Sequence, residues 1–473
     1  MQNKVISNLI WRFLERCGAQ LVTFVVSIVL ARILSPAAYG QIAIITVIIT
    51  ILNVFVDSGF ANALIQKKDT DSLDFSTVFY FNVASCTVLY LIVFLCSPLV
   101  GKFYNDTELV PLLRVLALTI VISGVKNVQQ AYVSKNFLFK KFFFSTIGGT
   151  LASAVIGIVM AITGFGVWSL VAQHLSNAFI DTCILWLTVK WRPTKEFSFE
   201  RLKKLFSFGY KLLLSSVLNT IYSNFRQLII GKVYSSADLA FYNRGKQFPS
   251  LLMTNINTSI DSVLFPAMAE KQNSSGALKN MIQKSLCVSS FILWPLLFGM
   301  CAVAEPFVSI VLTDKWLPCV PYLQIFCFVF ATFPFQTANL NALKAAGRSD
   351  LFFKLEIEQT VIGVICLLSV CWISPLWIAI MYMVSSFLNC VVICHESNKV
   401  FGYNLLKQLW DVMNNLLLSS VMLGATYLVY KIIHHNYAIV LQIAIGVAFY
   451  ILGAVITKNK NMSIVLKIVK NKK

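Results

Sequence analysis

Stretches of about 20 apolar residues recur along almost the whole chain, broken only by short polar or basic connections. A run of that length crosses the hydrocarbon core of a bilayer as an α-helix. The helix satisfies its own backbone hydrogen bonds where no water is present. About fourteen such runs are legible. Six lie in the first half, at 6–33, 38–58, 74–99, 109–131, 142–163 and 166–189. Six lie in the second, at 207–232, 238–266, 279–303, 320–343, 351–373 and 375–396, and a final pair follows at 408–432 and 437–457. The stretch 305–312 is too short to span and is placed at the outer surface. Composition agrees: charged residues are 12% of the chain, against about 25% in soluble domains. The first run carries Arg12, Glu15 and Arg16 and no small-residue cleavage pattern, so it reads as an uncleaved span.

A net charge of +19 could point to nucleic acid, but its placement gives another reason. Alternate connections are basic: Lys67 and Lys68; Lys135, Lys140 and Lys141; Lys190 to Lys204; Lys271 and Lys279; Lys344 and Arg348; Lys399 and Lys407; and the tail from Lys458. The intervening ones hold little beyond Arg32, Lys102, Lys232, Lys315 and Lys431. This is the positive-inside bias of a multi-pass protein with both termini cytoplasmic. No nucleic-acid partner is needed. The twelve cysteines lie mostly inside apolar runs without accompanying metal ligands and read as small buried hydrophobes. His434 and His435 fall in an outer connection. No metal or cofactor is expected.

One polar pattern occurs twice. Thr46, Thr50, Asn53 and Asp57 share a helix face in the second run; Ser250, Thr254, Asn257 and Asp261 repeat it in the eighth, offset by 204 residues at all four positions (46 to 250, 50 to 254, 53 to 257, 57 to 261). Before each copy stands a short turn with an aromatic residue, at 35–40 and 235–242. Leu138-Phe139-Lys140 is matched later by Phe352-Phe353-Lys354. The pattern predicts an all-α polytopic membrane protein of about fourteen spans: two pseudo-symmetric six-helix lobes and a C-terminal helix pair. The expected divisions are an N-terminal lobe over 1–190, a cytoplasmic linker over 191–206, a second lobe over 207–398, and the last two helices with a basic tail over 399–473. In the linker, Phe199, Leu202, Leu205 and Phe206 form an apolar stripe opposite basic residues, which predicts a short amphipathic helix on the inner membrane surface.

The polar faces are where transport chemistry would reside. The seventh run carries Lys211, Ser215, Asn219, Tyr222 and Arg226 on one face, a stripe of about 22 Å. The first has Arg12, Glu15 and Arg16; the fourth has Thr119, Ser123, Lys126 and Gln130; the eighth adds Asn243, Arg244 and Gln247. Many Ser, Thr and Asn residues can serve simply to bind helix to helix, and Arg12, Arg16 or Arg226 can snorkel to an interface. A guanidinium facing a wet cavity instead suits phosphate, because its forked donors match phosphate oxygens. The candidate cavity residues are therefore Arg226, Arg12, Arg16, Lys211, Arg244, Asn219, Tyr222 and Asn257. Asp57, Asp261, Glu356 and Glu358 are the candidates for coupling to a proton or sodium ion. Pro249, Pro266, Pro295 and Pro334 permit bends in second-half spans.

The chain resembles bacterial polysaccharide-unit flippases of the Wzx/polysaccharide-transport type, in the MATE-like multidrug/oligosaccharidyl-lipid/polysaccharide superfamily. The carriers are Leu30-Ala31-Arg32-Ile33-Leu34-Ser35-Pro36 with Tyr39-Gly40, Asp57-Ser58-Gly59-Phe60, and Ala63-Leu64-Ile65-Gln66-Lys67. In the second half they are Asn224 to Lys232, Ala240-Phe241-Tyr242-Asn243-Arg244 and Leu264-Phe265-Pro266-Ala267. The resemblance implies two six-helix lobes around a central cavity and movement of an undecaprenyl-diphosphate-linked oligosaccharide from the inner to the outer leaflet of the cytoplasmic membrane. It implies alternating access, a place in O-antigen, capsule or exopolysaccharide synthesis, and work alongside a polysaccharide polymerase. Under it, Arg226, and with it Arg12, Arg16, Lys211 and Arg244, would face the diphosphate. The competing readings are an ion-coupled drug/cation antiporter of the same superfamily, which would favour an acidic cavity, and a membrane polysaccharide polymerase. The longest outer segment, 304–319, holds Glu305, Asp314 and Lys315 and no catalytic constellation, so the chain is not expected to be an enzyme.

Overall fold

The computed structural model describes residues 2–57, 64–65, 70–272, 274–433, 438–459 and 461–462, with only the backbone described at 2–7, 9, 57, 204–212 and 438. Parts of the resemblance (Ser58-Gly59-Phe60, Ala63, Gln66 and Lys67), the pair His434 and His435, and the basic tail beyond 462 lie outside the described residues. Among the described residues every regular element is helical, and two compact units divide the chain at Ala240 and Phe241.

The first unit contains α1 (Gln2–Ile33), α2 (Pro36–Asp57), α3 (Ser72–Tyr104), α4 (Leu109–Leu116), α5 (Leu118–Lys135), α6 (Phe139–Ile162), α7 (Val167–Thr188) and α8 (Phe199–Val233). α6 packs against both α7 and α1, α3 against α5, and α8 against α2 and α3. Small residues permit the closest of these approaches, as is usual where lipid supplies no hydrophobic drive between helices. A Cβ at Gly149 of α6 would sit 2.9 Å from the Asp181 Cβ of α7. A Cβ at Gly40 of α2 would fall 1.7 Å from the backbone oxygen of Ser236, just after α8. Asp71 starts α3 with a reciprocal capping box to Asp74. At the same end, Phe75, Phe79 and Tyr132 enclose Trp191, whose ring stacks on Tyr132 at 6.1 Å.

The structure departs from the expected linker helix. There is no separate amphipathic piece: α8 runs unbroken from Phe199 to Val233, joining linker and seventh run. The cause is local. Ser198 caps its start by accepting from the Arg201 backbone, and no proline interrupts the next 35 residues. The segment before it is strapped down. Thr194 donates its backbone N–H to Ser76 Oγ (2.9 Å), Ser198 donates to Thr77 Oγ1 (3.2 Å), and Arg201 Nη1 donates to both Asp71 oxygens (2.6 Å each) and to Asp74 (3.2 Å). The stripe splits accordingly: Leu202 is buried in the unit's core, and Phe199 is exposed.

The second unit takes up α9 (Ser236–Glu270) from Phe241 onward, then α10 (Ser275–Ala302), α11 (Ala304–Leu312), a 3-10 turn (Asp314–Cys319), α12 (Val320–Ala331), α13 (Phe333–Ala345), α14 (Ser349–Leu368), α15 (Pro375–Phe401), α16 (Leu405–Ile433) and α17 (Ala438–Ile456). The runs at 109–131 and 320–343 both prove broken, at Ala117 and at Thr332. At the second break Pro334 lacks the N–H that would continue the ladder. Pro249, Pro266 and Pro295 instead lie inside continuous helices. A fully buried polar seam ties α13, α15 and α16: Ser397 Oγ donates to Asn339 Oδ1 (2.6 Å), and Asn339 Nδ2 to Gln408 Oε1 (2.9 Å).

Ten helical stretches among the described residues are long and apolar enough to cross a membrane, counting α4–α5 and the turn–α12–α13 stretch once each. Of the expected spans, those at α7, α8, α9 and α14 fall short, and these are helices rich in polar side chains.

Candidate functional site

In the first unit, α8 presents the polar stripe. Arg226 is buried, only 8% exposed, with its guanidinium 5.7 Å from the centre of the Tyr222 ring one turn earlier. Burial matters here because a charge held out of water must be met by groups that favour it. Around it, Gln227 Nε2 donates to Asn224 Oδ1 (3.0 Å) and Asn224 Nδ2 to the Thr220 carbonyl (2.9 Å). Asn219 is exposed and accepts from Ser223 Oγ at 3.4 Å. Lys211 belongs to α8, but its side chain lies outside the described residues.

The other basic candidates of this unit behave differently. Arg12 Nη1 donates to Glu15 Oε2 (2.7 Å), and its guanidinium lies 5.2 Å from the Phe142 ring centre and 5.7 Å from that of Phe139. It is held in the α1–α6 contact, its charge balanced one turn away. Arg16 is exposed. Asp57 closes α2, and its side chain is outside the described residues. On the same face Asn53 leaves a buried Oδ1 without a hydrogen-bond partner among the described residues. Deeper in the unit, Lys126 Nζ of α5 meets Asp181 Oδ2 of α7 at 2.6 Å.

In the second unit, the repeated face of α9 meets α13. Asn341 Nδ2 donates to Asp261 Oδ1 (2.8 Å), and Asn257 Nδ2 to Thr337 Oγ1 (3.0 Å) and to Asp261 Oδ2 (3.4 Å). The carboxylate is thus cradled by amides rather than by an ammonium or guanidinium at contact distance. Arg244 lies about 25 Å along α9 from Asp261. It is 5% exposed, donates to Gln247 Oε1 (2.6 Å) and stands over the Trp316 ring at 5.3 Å. The structure therefore joins Asn257 to Asp261 and sets Arg244 apart from them. Glu356 is exposed on α14. Glu358 lies 3.6 Å from Lys354, which also reaches Glu396 (3.1 Å), itself 2.9 Å from Lys399. Glu358, His395 and Glu396 line a pocket of about 500 Å³ between α14 and α15.

Sequence reasoning did not single out Asp181, Glu396, Thr337 or Asn341. Asp181 carried a usable signal, being the lone carboxylate of its expected span. Thr337 and Asn341 carried none, since only the fold brings them 80 positions back to α9.

The comparisons with known proteins agree with this architecture. The chain is 28% identical over 367 residues to the lipopolysaccharide biosynthesis protein WzxC of Escherichia coli K12, covering 76% of this chain and 74% of that one. It is 24% identical to the succinoglycan biosynthesis transport protein ExoT of Rhizobium meliloti, covering 74% and 71%. Among solved structures, the lipid II flippase MurJ in an inward closed conformation superposes with a TM-score of 0.76, over 96% of this chain and 98% of that one, at 13% identity. That likeness speaks for the fold. The family model described as polysaccharide biosynthesis protein matches residues 29–321, more than half of the chain, and the protein belongs to that family.

Proposed function

We propose that this protein is a flippase that carries undecaprenyl-diphosphate-linked oligosaccharide units from the inner to the outer leaflet of the bacterial cytoplasmic membrane by alternating access. The glycan would feed O-antigen, capsule or exopolysaccharide synthesis and a downstream polymerase. The observation that carries the reading is a MurJ-like fold along almost the entire chain, in a member of a polysaccharide biosynthesis family whose relative ExoT is named for transport. In this reading the ten apolar stretches and the four polar-faced helices α7, α8, α9 and α14 make fourteen spans. In this grouping the lobes are 1–190 and 207–398, with 191–206 running directly into α8 rather than forming a helix of its own, 399–473 is a helix pair and tail, and both termini are cytoplasmic.

The task is physical rather than catalytic: a hydrophilic, doubly charged headgroup is sheltered while its polyprenyl tail stays in lipid. Arg226 is the residue best suited to the diphosphate, being a buried guanidinium on a polar helix face. Lys211, Asn219 and Tyr222 extend that face, and Arg12, Arg16 and Arg244 are secondary contributors. Asp261, with Asn257, and the acidic candidates Asp57, Glu356 and Glu358 are assigned to ion coupling. The test is reconstitution in liposomes with the lipid-linked repeat unit, reading how fast the glycan becomes accessible to an enzyme added outside. Exposure that depends on the protein and slows about tenfold in Arg226→Ala, the loss of about 1.4 kcal/mol of differential binding, supports the reading. No exposure from folded protein under proton and sodium gradients overturns it.

A further inference from the structure

We infer that Asp181 is a proton-exchange site of the first unit, with Lys126 as its counter-ion. The inference takes from the proposed function that the chain is a transporter and that α7 is one of its spans. Lys126 lies about 12 Å from the start of α5 and about 14 Å from its end, and Asp181 about 21 Å from the start of α7. Both stand well inside their helices rather than at a water-facing terminus. Charges at such depth are expensive and mark pathways or relays more often than they serve packing.

The pairing itself is incomplete. Asp181 is 5% exposed, and its Oδ2 receives Lys126 at 2.6 Å. Its Oδ1 is buried without a hydrogen-bond partner among the described residues. A purely structural ion pair gains from filling both carboxylate oxygens, because each empty one keeps its desolvation cost. Glu358 shares this pattern, with Oε2 buried and unpartnered among the described residues beside Lys354, but it lines a pocket, and Lys354 is shared with Glu396. Asp261, which is only partly buried, has amide donors on both oxygens. In Asp181 the open lone pair is where one proton adds. The carboxylate becomes a neutral carboxyl, Lys126 keeps its own proton, and the ammonium is released from its anion.

Few other groups compete for that role. α6 backs onto Asp181 through Gly149 and has no titratable side chain beyond Lys140 and Lys141 in its first turn. Lys141 is held by the Thr188 carbonyl. α2 supplies only Tyr39 and Asp57, near its two ends. Arg114 of α4 donates to Ser97 Oγ and the Phe94 carbonyl. On α7 itself the other titratable groups are His174 and Cys183, and on α5 they are Tyr132 and Lys135.

The test needs no substrate. Infrared difference spectra of the purified protein in lipid nanodiscs, taken on acidification, should show the carbonyl band of a protonated carboxyl that is missing in Asp181→Asn. Its midpoint should move in Lys126→Gln. Asp181→Glu, which keeps the carboxyl, covers the case in which the amide variant does not fold, and should restore a displaced band. Identical titrations in wild type and Asp181→Asn overturn the inference. In proteoliposomes, glycan exposure by wild type should change at least threefold when a proton gradient is imposed, and Asp181→Asn should lose that response. Retention of the response in the variant also overturns it. Absence of any exposure by wild type would refute the flippase reading alone, since the infrared titration still decides the proton site.

Discussion

Two contacts of the first unit rest on single residues. The Lys126–Asp181 pair is one, and its stability consequence is separable from its function. Replacing Lys126 by Met leaves a buried carboxylate unpaired, a change that costs about 3 kcal/mol or more at buried pairs. Removing both charges in Lys126→Met/Asp181→Asn should recover most of that loss. Thermal unfolding in detergent should therefore rank wild type and the double variant together, above either single variant. Gly40 is the other. Its missing side chain allows α2 to approach the Ser236 backbone, and a methyl there meets a carbonyl oxygen that cannot rotate away. Gly40→Ala should lower stability by about 1–3 kcal/mol, read as a lower Tm with an unchanged far-UV spectrum. Of these details the sequence displayed only the residue types. Asp181 was visible as the lone carboxylate of its run, but its partner lies 55 positions away, and no periodicity connects positions on different helices.

At the scale of elements, the boundaries legible beforehand were those set by composition. Apolar runs end where charges begin, so α1, α2, α6 and α15 follow the reading closely. What composition does not encode is whether a helix stops between two runs. Ala117 interrupts a run with no proline beside it to mark the break, Thr332 interrupts one where Pro334 does, and α8 continues through a stretch whose charges suggested an end. The strap before α8 yields a local prediction. Arg201 draws on two carboxylates, and its guanidinium is held above its already high value by the Asp71 hydrogen bond. Asp71→Asn removes one carboxylate and weakens the α3 capping box. Hydrogen exchange should then rise severalfold at 194–203 and at the first turn of α3, with little change in α6 and α7.

For the whole chain, the class was legible because lipid allows so few alternatives, and the polar repeat was legible because both copies keep the same helical spacing. The candidate site was less so. Arg226 emerged as a buried guanidinium and Asn257 and Asp261 as a hydrogen-bonded, partly buried pair, whereas Arg12 is occupied by Glu15 and two phenylalanines, and Arg16 and Glu356 are exposed. The charge asymmetry of the connections makes a topological prediction. With accessible native thiols blocked, a cysteine placed at Thr107 should react with an impermeant reagent in intact spheroplasts. One placed at Ser274 should react only after the membrane is opened. The reverse pattern would invert the orientation assigned to the protein.

The unbroken α8 has a mechanical meaning. Its foot is fastened at Arg201 to the start of α3, and Arg226 lies 25 residues further along the same rod, about 38 Å away. Without an interruption to absorb bending, the helix would act as a lever arm with its fulcrum at the Arg201 end. A tilt of about 10° would sweep the guanidinium sideways by about 6–7 Å, roughly the width of a phosphate group, with no rearrangement of the side chain itself.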